Sequence, residues 1–249
     1  MISRRSIRQY SDKPISRALL DELLQTSARG STMGNMQLYS VIATTSMEGK
    51  QALAPSHFGQ PMVTGAPLVL TFCVDFRRFS AWCEQRKAVP GYDNLLSFQN
   101  AAIDTMILAE RFATAAEEEG LGICYLGTTL YNAGQIIDCL HLPRLVFPLT
   151  TLTVGYPAEQ PEQPDRLAVE AFLHEEQYHD YTPADIDRIY ALKESLPENH
   201  RFVEENGKET LAQVFTDVRY RKADNEAMSE TLWQSLRRQG FVEYRLCTF

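Results

Sequence analysis

Hydrophobic residues recur at helical spacing in two long stretches of the chain. In the first, Ser16 is suited to cap the start of a helix and Gly30 to follow its end. The residues that form its apolar face are Leu19, Leu20, Leu23 and Leu24. The second and longest helix is predicted from Asn94 to Glu119, with apolar and often small residues around most of its circumference. Such a helix is buried on most sides. We interpret it as a central helix partly covered by a second subunit, the alternative being a core helix of a monomer.

Short apolar runs between these helices predict strands. The predicted strands are 38–44, 67–75, 123–126 and 149–155. The other predicted helices are 77–87, 133–140, 183–195, 208–214 and 225–239. Because strands alternate with helices through connections of unequal length, the pattern predicts a mixed sheet with helices on both faces.

The composition shifts after residue 157, where a proline-rich loop is followed by helices that are less apolar. We therefore predict a core over residues 1–180 and a helical C-terminal extension over 181–249, packed on the core or on a partner subunit. The length of 249 residues suits one large domain or one domain with an appendage. The net charge of −8 argues against nucleic-acid or anionic-membrane partners.

The five cysteines are widely spaced and form no CxxC pair or zinc pattern. Reduced thiols in a cytoplasmic protein are the simplest interpretation. The N-terminal residues contain no apolar signal-peptide core, and no apolar run is long enough for a transmembrane helix. We therefore expect no membrane partner.

The segment Arg4-Arg5-Ser6-Ile7-Arg8 concentrates guanidinium groups and a hydroxyl, which suit the recognition of a phosphate. If it is extended, Arg4, Ser6 and Arg8 point to one side. A solvated basic terminus is the alternative. Three further candidates are weaker on their own: the polar loop Ser31–Gln37, the glycine-bounded strand Gly120–Gly127, and Arg166 after the proline-rich loop.

Other catalytic systems lack support, since the chain has no GxSxG, HExxH or P-loop motif. His174 and His179 are spaced five residues apart, so they do not share a helix face as two metal ligands would. We predict no metal site.

Taken in order, the segments resemble the nitroreductase family, most closely its NADPH-dependent flavin-reductase and oxygen-insensitive nitroreductase branch. The opening is similar to its RxSxR start, the polar loop to its serine-rich loop, and residues 120–127 to its GLGxxYxGG segment. The remaining matches are Gly59-Gln60, Gly155-Tyr156-Pro157-Ala158, Asp165-Arg166-Leu167 and His174-Glu175-Glu176-Gln177-Tyr178. The resemblance covers residues 3–180 well and the rest more loosely.

The resemblance implies an α+β fold, a three-layer α-β-α sandwich with a central mixed, mainly antiparallel sheet and a C-terminal helical extension. It further implies a homodimer with two shared FMN sites. By the same comparison, Arg4, Arg5, Ser6, Arg8 and Arg166 would bind the phosphate end. The ring would be approached by Gln60, by the backbone of Tyr125, Leu126 and Gly127, and by the partner's Ser31, Thr32, Gly34 and Asn35.

Three departures from the branch are visible. Pro164 stands where a lysine often precedes the matched arginine, and Thr128 replaces a second glycine. Met33, Gly34 and Asn35 make the serine-rich loop closer to that of the wider family.

The implied activity is a ping-pong oxidoreduction in which NADPH or NADH donates hydride and a nitroaromatic, quinone or flavin is the small-molecule acceptor. The cofactor carries the chemistry, so we assign no catalytic acid or base. Lys208 and Arg201 are candidates for binding the NADPH 2′-phosphate. The alternatives are an FMN enzyme with a specialised acceptor, a flavin-binding redox sensor without significant turnover, and a structural or adaptor protein.

Overall fold

The structure is a computed structural model that describes residues 4–243. Its residues divide into two compact units, one comprising 4–162 with 229–243 and the other comprising 163–228. The division expected at residue 180 falls inside the second unit. Whether residues 181–249 form an extension of the predicted kind stays a prediction.

A four-stranded sheet forms the centre of the first unit. Its strands are β1 Tyr39–Thr44, β2 Leu68–Asp75, β3 Gly122–Leu126 and β4 Val146–Gly155. Their spatial order is β1-β2-β4-β3, and each neighbouring pair is antiparallel. All eight residues of β2 are buried, which explains why this strand is mainly apolar in the sequence, with Thr71 and Asp75 as its polar members.

The expected mixed sheet has no parallel neighbours among residues 4–243, whereas its mainly antiparallel character is confirmed. The physical reason lies in the position of β4. The helical connection from β2 to β3 does join two strands that run in the same direction, but β4 lies between them and runs the opposite way. Two strands of the sheet, β2 and β3, therefore run in the same direction, but they are not neighbours.

Helices lie on both faces of the sheet, and further helices follow β4 in the sequence. The helices of the chain are α1 Arg17–Ser27, α2 Met47–Leu53, α3 Pro61–Gly65, α4 Arg77–Gln85, α5 Leu95–Glu118, α6 Ala133–Cys139, α7 Pro183–Ser195, α8 Pro197–Glu205, α9 Leu211–Val214 and α10 Lys222–Arg238. A π-helical turn spans Phe215–Arg219, and 3-10 turns span Met33–Asn35, Ala54–His57, Gly127–Thr129 and Val169–Ala171.

Two apolar layers hold the helices against the sheet. On one face, α1 and α5 bury leucines and Phe112 against β2, where the rings of Phe112 and Phe72 lie 5.9 Å apart. On the other face, side chains of α2, α3 and α6 pack on Val69, Cys124 and Leu126. The three-layer α-β-α arrangement is thus confirmed. Within the described residues, no helix combines the length and hydrophobicity that crossing a membrane requires.

Candidate functional site

The N-terminal segment lies along β3, an edge strand of the described sheet. The Ile7 N–H donates to the carbonyl of Ile123 at 2.9 Å, and Tyr10 forms an antiparallel bridge with Pro157. Ile7 is buried, and Gly122 leaves the space that its side chain fills. This packing fixes the position of the backbone from which the neighbouring arginine side chains extend.

Arg4 and Arg8 have different surroundings. Arg4 pairs with Glu117 at 2.7 Å, and its guanidinium lies 5.6 Å from the centre of the Tyr125 ring, on the α5 side of β3. The Cys124 side chain packs on the opposite face of β3. Burial raises the pKa of its thiol, and the charges of Arg8 and Arg4 oppose the shift. The buried Ile7 and the edge of β3 orient the segment, and whether Arg4, Ser6 and Arg8 face one phosphate stays a prediction.

The surroundings of the arginines are electrostatically mixed. Arg5 donates to the carbonyl of Pro161 at 2.9 Å, and Ser6 is half-buried. The Glu159 carboxylate accepts the backbone N–H groups of Arg8 and Gln9 at 2.5 and 3.0 Å. A cavity of about 530 Å³ beside Arg4 and Arg5 is also lined by Glu117, Glu118 and Glu159. The Glu117 carboxylate offsets part of the charge of Arg4.

The end of β3 opens into a groove of about 530 Å³. Leu126 and Gly127 line this groove together with apolar residues of α5. Gly127 is exposed, its backbone is outside the left-handed region, and a Cβ added to it would meet no atom within 4 Å. Neither conformation nor packing within the chain therefore requires glycine here, whereas close approach of a ligand to the backbone would. Tyr125 is half-buried and donates its hydroxyl to Glu110 at 3.0 Å; its pKa is raised by burial and by that carboxylate.

The turn that carries Gln60 is tied to the end of β3. His57 Nδ1 and Thr128 Oγ1 share a hydrogen bond of 2.8 Å, and the Asn132 amide donates to the carbonyl of Ser56 at 2.8 Å. The first bond holds the turn before α3 against the Gly127–Thr129 turn, and the second holds it against the segment before α6. The Gln60 Oε1 atom is buried and has no hydrogen-bond partner among the described residues. A half-buried amide of this kind suits a polar heterocycle edge, which can offer both donors and acceptors.

The Ser31–Asn35 loop is anchored on α5. Asp104 accepts the Thr32 hydroxyl at 2.5 Å and the Met33 N–H at 2.9 Å. Ser31, Gly34 and Asn35 are exposed, and the backbones of the last two are left-handed. Ile103 and Ile107 of α5 line both the groove beside this loop and the groove at Gly127. The loop and the β3 end therefore flank one strip of α5.

Three predicted cations belong to the second unit. Arg166 is exposed and donates to the carbonyl of its neighbour Asp165 at 2.8 Å. Lys208 pairs with Asp217 at 2.9 Å, and Arg201 lies 3.7 Å from Glu205. The sequence interpretation missed Lys193, which pairs with Asp165 at 3.0 Å and lines the same cavity of about 650 Å³ as Arg166. Only the three-dimensional contact of α7 with the loop could reveal it.

His174 belongs to an aromatic cluster. Its ring lies 4.4 Å from that of Tyr178, and its Nε2 atom lies 3.2 Å from the Tyr181 hydroxyl. Across residues 4–243, no group of histidine, cysteine and acidic side chains is arranged to hold a metal ion.

Comparison with known proteins decides the family. The model described as "Nitroreductase family" matches residues 1–156, more than half of the chain. The chain belongs to the nitroreductase family. The resemblance read from the RxSxR start and the glycine-bounded strand is thereby confirmed.

This nitroreductase-family chain is also similar to curated relatives over most of its length. It is 33% identical to the FMN reductase [NAD(P)H] of Bacillus subtilis strain 168, over 83% of each chain. It is 32% identical to the oxygen-insensitive NADPH nitroreductase of Salmonella typhimurium strain LT2, over 78% of each chain. A crystal structure from Bacteroides fragilis NCTC 9343 has a TM-score of 0.96 and 65% identity, covering 97% of this chain and 98% of the other.

Proposed function

We propose that this nitroreductase-family protein is an FMN-dependent oxidoreductase that takes hydride from NADH or NADPH and reduces small acceptors. Nitroaromatics, quinones and free flavin are the proposed acceptors. The names of the relatives, which include an FMN reductase and an NADPH nitroreductase, support the activity. The observation that carries the proposal is the exposed Gly127 backbone at an apolar groove. Gln60, whose buried oxygen has no partner among the described residues, adds to it.

The chain's residues fit the two ends of FMN. Arg4, Arg5, Ser6 and Arg8 would hold the phosphate end, because guanidinium and hydroxyl groups suit phosphate oxygens. Arg166 is proposed for the phosphate from the family resemblance alone. Gln60 and the backbone of Tyr125, Leu126 and Gly127 would meet the ring. FMN supplies the hydride chemistry when bound. The protein orients the partners and limits the access of water, and NAD(P)H and the acceptor occupy the site in turn. Lys208 and Arg201 remain proposals for contacting NADPH.

We extend the proposal to a homodimer. One strip of α5 exposes Leu96, Ile103 and Met106 at 71%, 51% and 41%, and such a continuous apolar strip is typical of an interface. In a twofold dimer the same patch of both chains meets. Because the Ser31–Asn35 loop and the Gly127 groove flank this strip, a dimer through α5 would bring the loop of one chain towards the ring site of its partner.

A cytoplasmic location completes the proposal. It is supported by Cys73, Cys83, Cys124 and Cys139, which are all free thiols.

Purified protein tests the function directly. It should be yellow, release FMN on denaturation, and oxidise NADH or NADPH only when an acceptor is added. Assays with a nitroaromatic, a quinone and free flavin rank the acceptors. A yellow protein that never oxidises NAD(P)H would favour the redox sensor, and a colourless protein that takes up no FMN would overturn the proposal.

A further inference from the structure

His57 is a wholly buried histidine at the end of the 3-10 turn before α3. Its Nδ1 atom bonds the Thr128 hydroxyl at 2.8 Å. Burial lowers the pKa of the imidazole to about 4, so the ring is neutral near pH 7. The Nε2 atom is also buried and has no hydrogen-bond partner among the described residues.

A buried imidazole with one nitrogen that makes no hydrogen bond lowers the stability of the fold. An apolar side chain of similar size would pack there without that cost. Features that lower stability are retained where they serve a site. The position of the bonded partner indicates which site, because Thr128 follows Gly127 directly in the same 3-10 turn.

One hydrogen bond joins His57 to the Gly127–Thr129 turn, namely the contact with the Thr128 hydroxyl. A second bond, from the Asn132 side chain to the backbone carbonyl of Ser56, belongs to the segment just before α6. The His57 contact therefore acts on the turn itself and restricts how it is oriented at the groove.

We propose that His57 is a positioning residue for the reduced cofactor, acting through Thr128 to hold the Gly127–Thr129 backbone in a fixed orientation. This inference rests on the proposed function. N–H dipoles that are fixed before negative charge arrives stabilise it without reorganising. A turn that loses its tether would bind oxidised FMN with little change and reduced FMN more weakly.

The midpoint potential of FMN in the holoenzyme tests this, since it reports the ratio of the two affinities. His57→Leu and Thr128→Val should each lower the potential by about 30 mV, equivalent to a tenfold loss of preference for the reduced form. His57→Asn should restore it, because an amide can reach the position of Nδ1. Thr105→Val is the matched control, because it removes a buried hydroxyl that bonds the carbonyls of Ala101 and Cys73 and neither of the two turns.

The double variant His57→Leu/Thr128→Val tests whether His57 acts through Thr128. If His57 acts through Thr128, the double variant shows the shift of either single variant. Additive shifts, or unchanged potentials in yellow variants, would overturn the proposal. Should His57→Leu not fold, Thr128→Val alone must still show the shift. A wild-type protein that binds no FMN would overturn the proposed function, and this inference with it.

Discussion

The side chain of Ile7 occupies the volume that a side chain at residue 122 would need. A Cβ placed on Gly122 would lie 2.7 Å from the Cβ of Ile7, closer than such atoms approach in proteins. Glycine in β3 is thus required by the neighbouring segment rather than by its own backbone.

Gly122→Ala should therefore destabilise the fold and displace the N-terminal segment. Overpacking of this kind costs about 1–3 kcal/mol. We expect a lower free energy of unfolding in urea, together with weaker FMN binding because Arg5 and Arg8 lose their positions. Gly91→Ala, where a Cβ would meet nothing within 4 Å, should change neither quantity. Equal stability of the two variants would show that the segment yields without cost.

Arg8→Ala should weaken FMN retention if this guanidinium binds the phosphate. Hydrogen bonds to charged groups contribute about 1.5–3 kcal/mol, which corresponds to a loss of affinity of roughly ten- to a hundredfold. Fluorescence titration of flavin-free protein gives the Kd. Arg17→Ala removes an equal charge from an exposed pair with Asp21 and should bind FMN as the wild type does. Unchanged retention in Arg8→Ala would remove this residue from the phosphate site.

Gly127→Ala tests whether FMN approaches the backbone at this residue, because it should change FMN binding without changing the stability of the fold. The added methyl meets no protein atom, so the thermal stability of the flavin-free protein should stay that of the wild type. Binding of FMN should weaken by about tenfold or more, because the methyl enters the space that the ring would approach. Gly91→Ala again serves as the control. If Gly127→Ala binds FMN normally, the ring does not contact this backbone.

Burial of His57 predicts acid sensitivity. The folded pKa of about 4 lies below the ordinary 6.5, so the unfolded chain binds more protons between these values. The free energy of unfolding should therefore fall as the pH drops from about 6.5 to about 4, by on the order of 3 kcal/mol from this group. In urea titrations at pH 7.5 and 5, His57→Asn should show a smaller loss than the wild type. Identical losses would mean that His57 becomes protonated without unfolding.

The exposed apolar strip of α5 predicts that a charged side chain placed there disrupts the proposed dimer. Ile103→Asp should leave a folded monomer with weakened FMN binding, because a charge in an apolar interface is costly to bury and the site would lose its partner loop. Sedimentation velocity measures the mass. Val89→Asp, at an apolar loop residue that is 97% exposed, should remain dimeric. A dimeric Ile103→Asp protein would place the interface elsewhere.

Long periodic helices were predictable from the sequence, whereas some of the shortest helices were not. The helix predicted at 94–119 is observed as Leu95–Glu118, and the helix at 183–195 is confirmed. In contrast, α3 has five residues, begins with a proline, and depends on burying Met62 and Val63. Such a turn is stable only through tertiary packing, which local periodicity does not contain.

β4 shows how a proline concealed the start of a strand. The strand was expected from Leu149, and the residue before it, Pro148, cannot donate to a ladder. In the structure it begins at Val146, and the pairing shifts between Phe72 and Cys73, opposite Thr150 and Pro148, so that Leu149 is the extra residue of a bulge. The bulge accommodates the proline.

The residue types of the candidate site are visible in the sequence, but their surroundings are not. The neighbours of each arginine along β3, and the link from His57 to Thr128, depend on contacts between distant segments. The position of Lys193 next to Asp165 depends on such a contact too.

The position of β4 in the sequence also determines when β2 and β3 can pair with their common neighbour during synthesis of the chain. β2 and β3 emerge from the ribosome first, yet their common neighbour is the last strand to be made. Until residue 155 is available, the mainly apolar β2 lacks its pairing partner on one side, and unpaired apolar strand edges favour association between chains. The interval before β4 is made is therefore the stage of synthesis at which this chain is most exposed to such association.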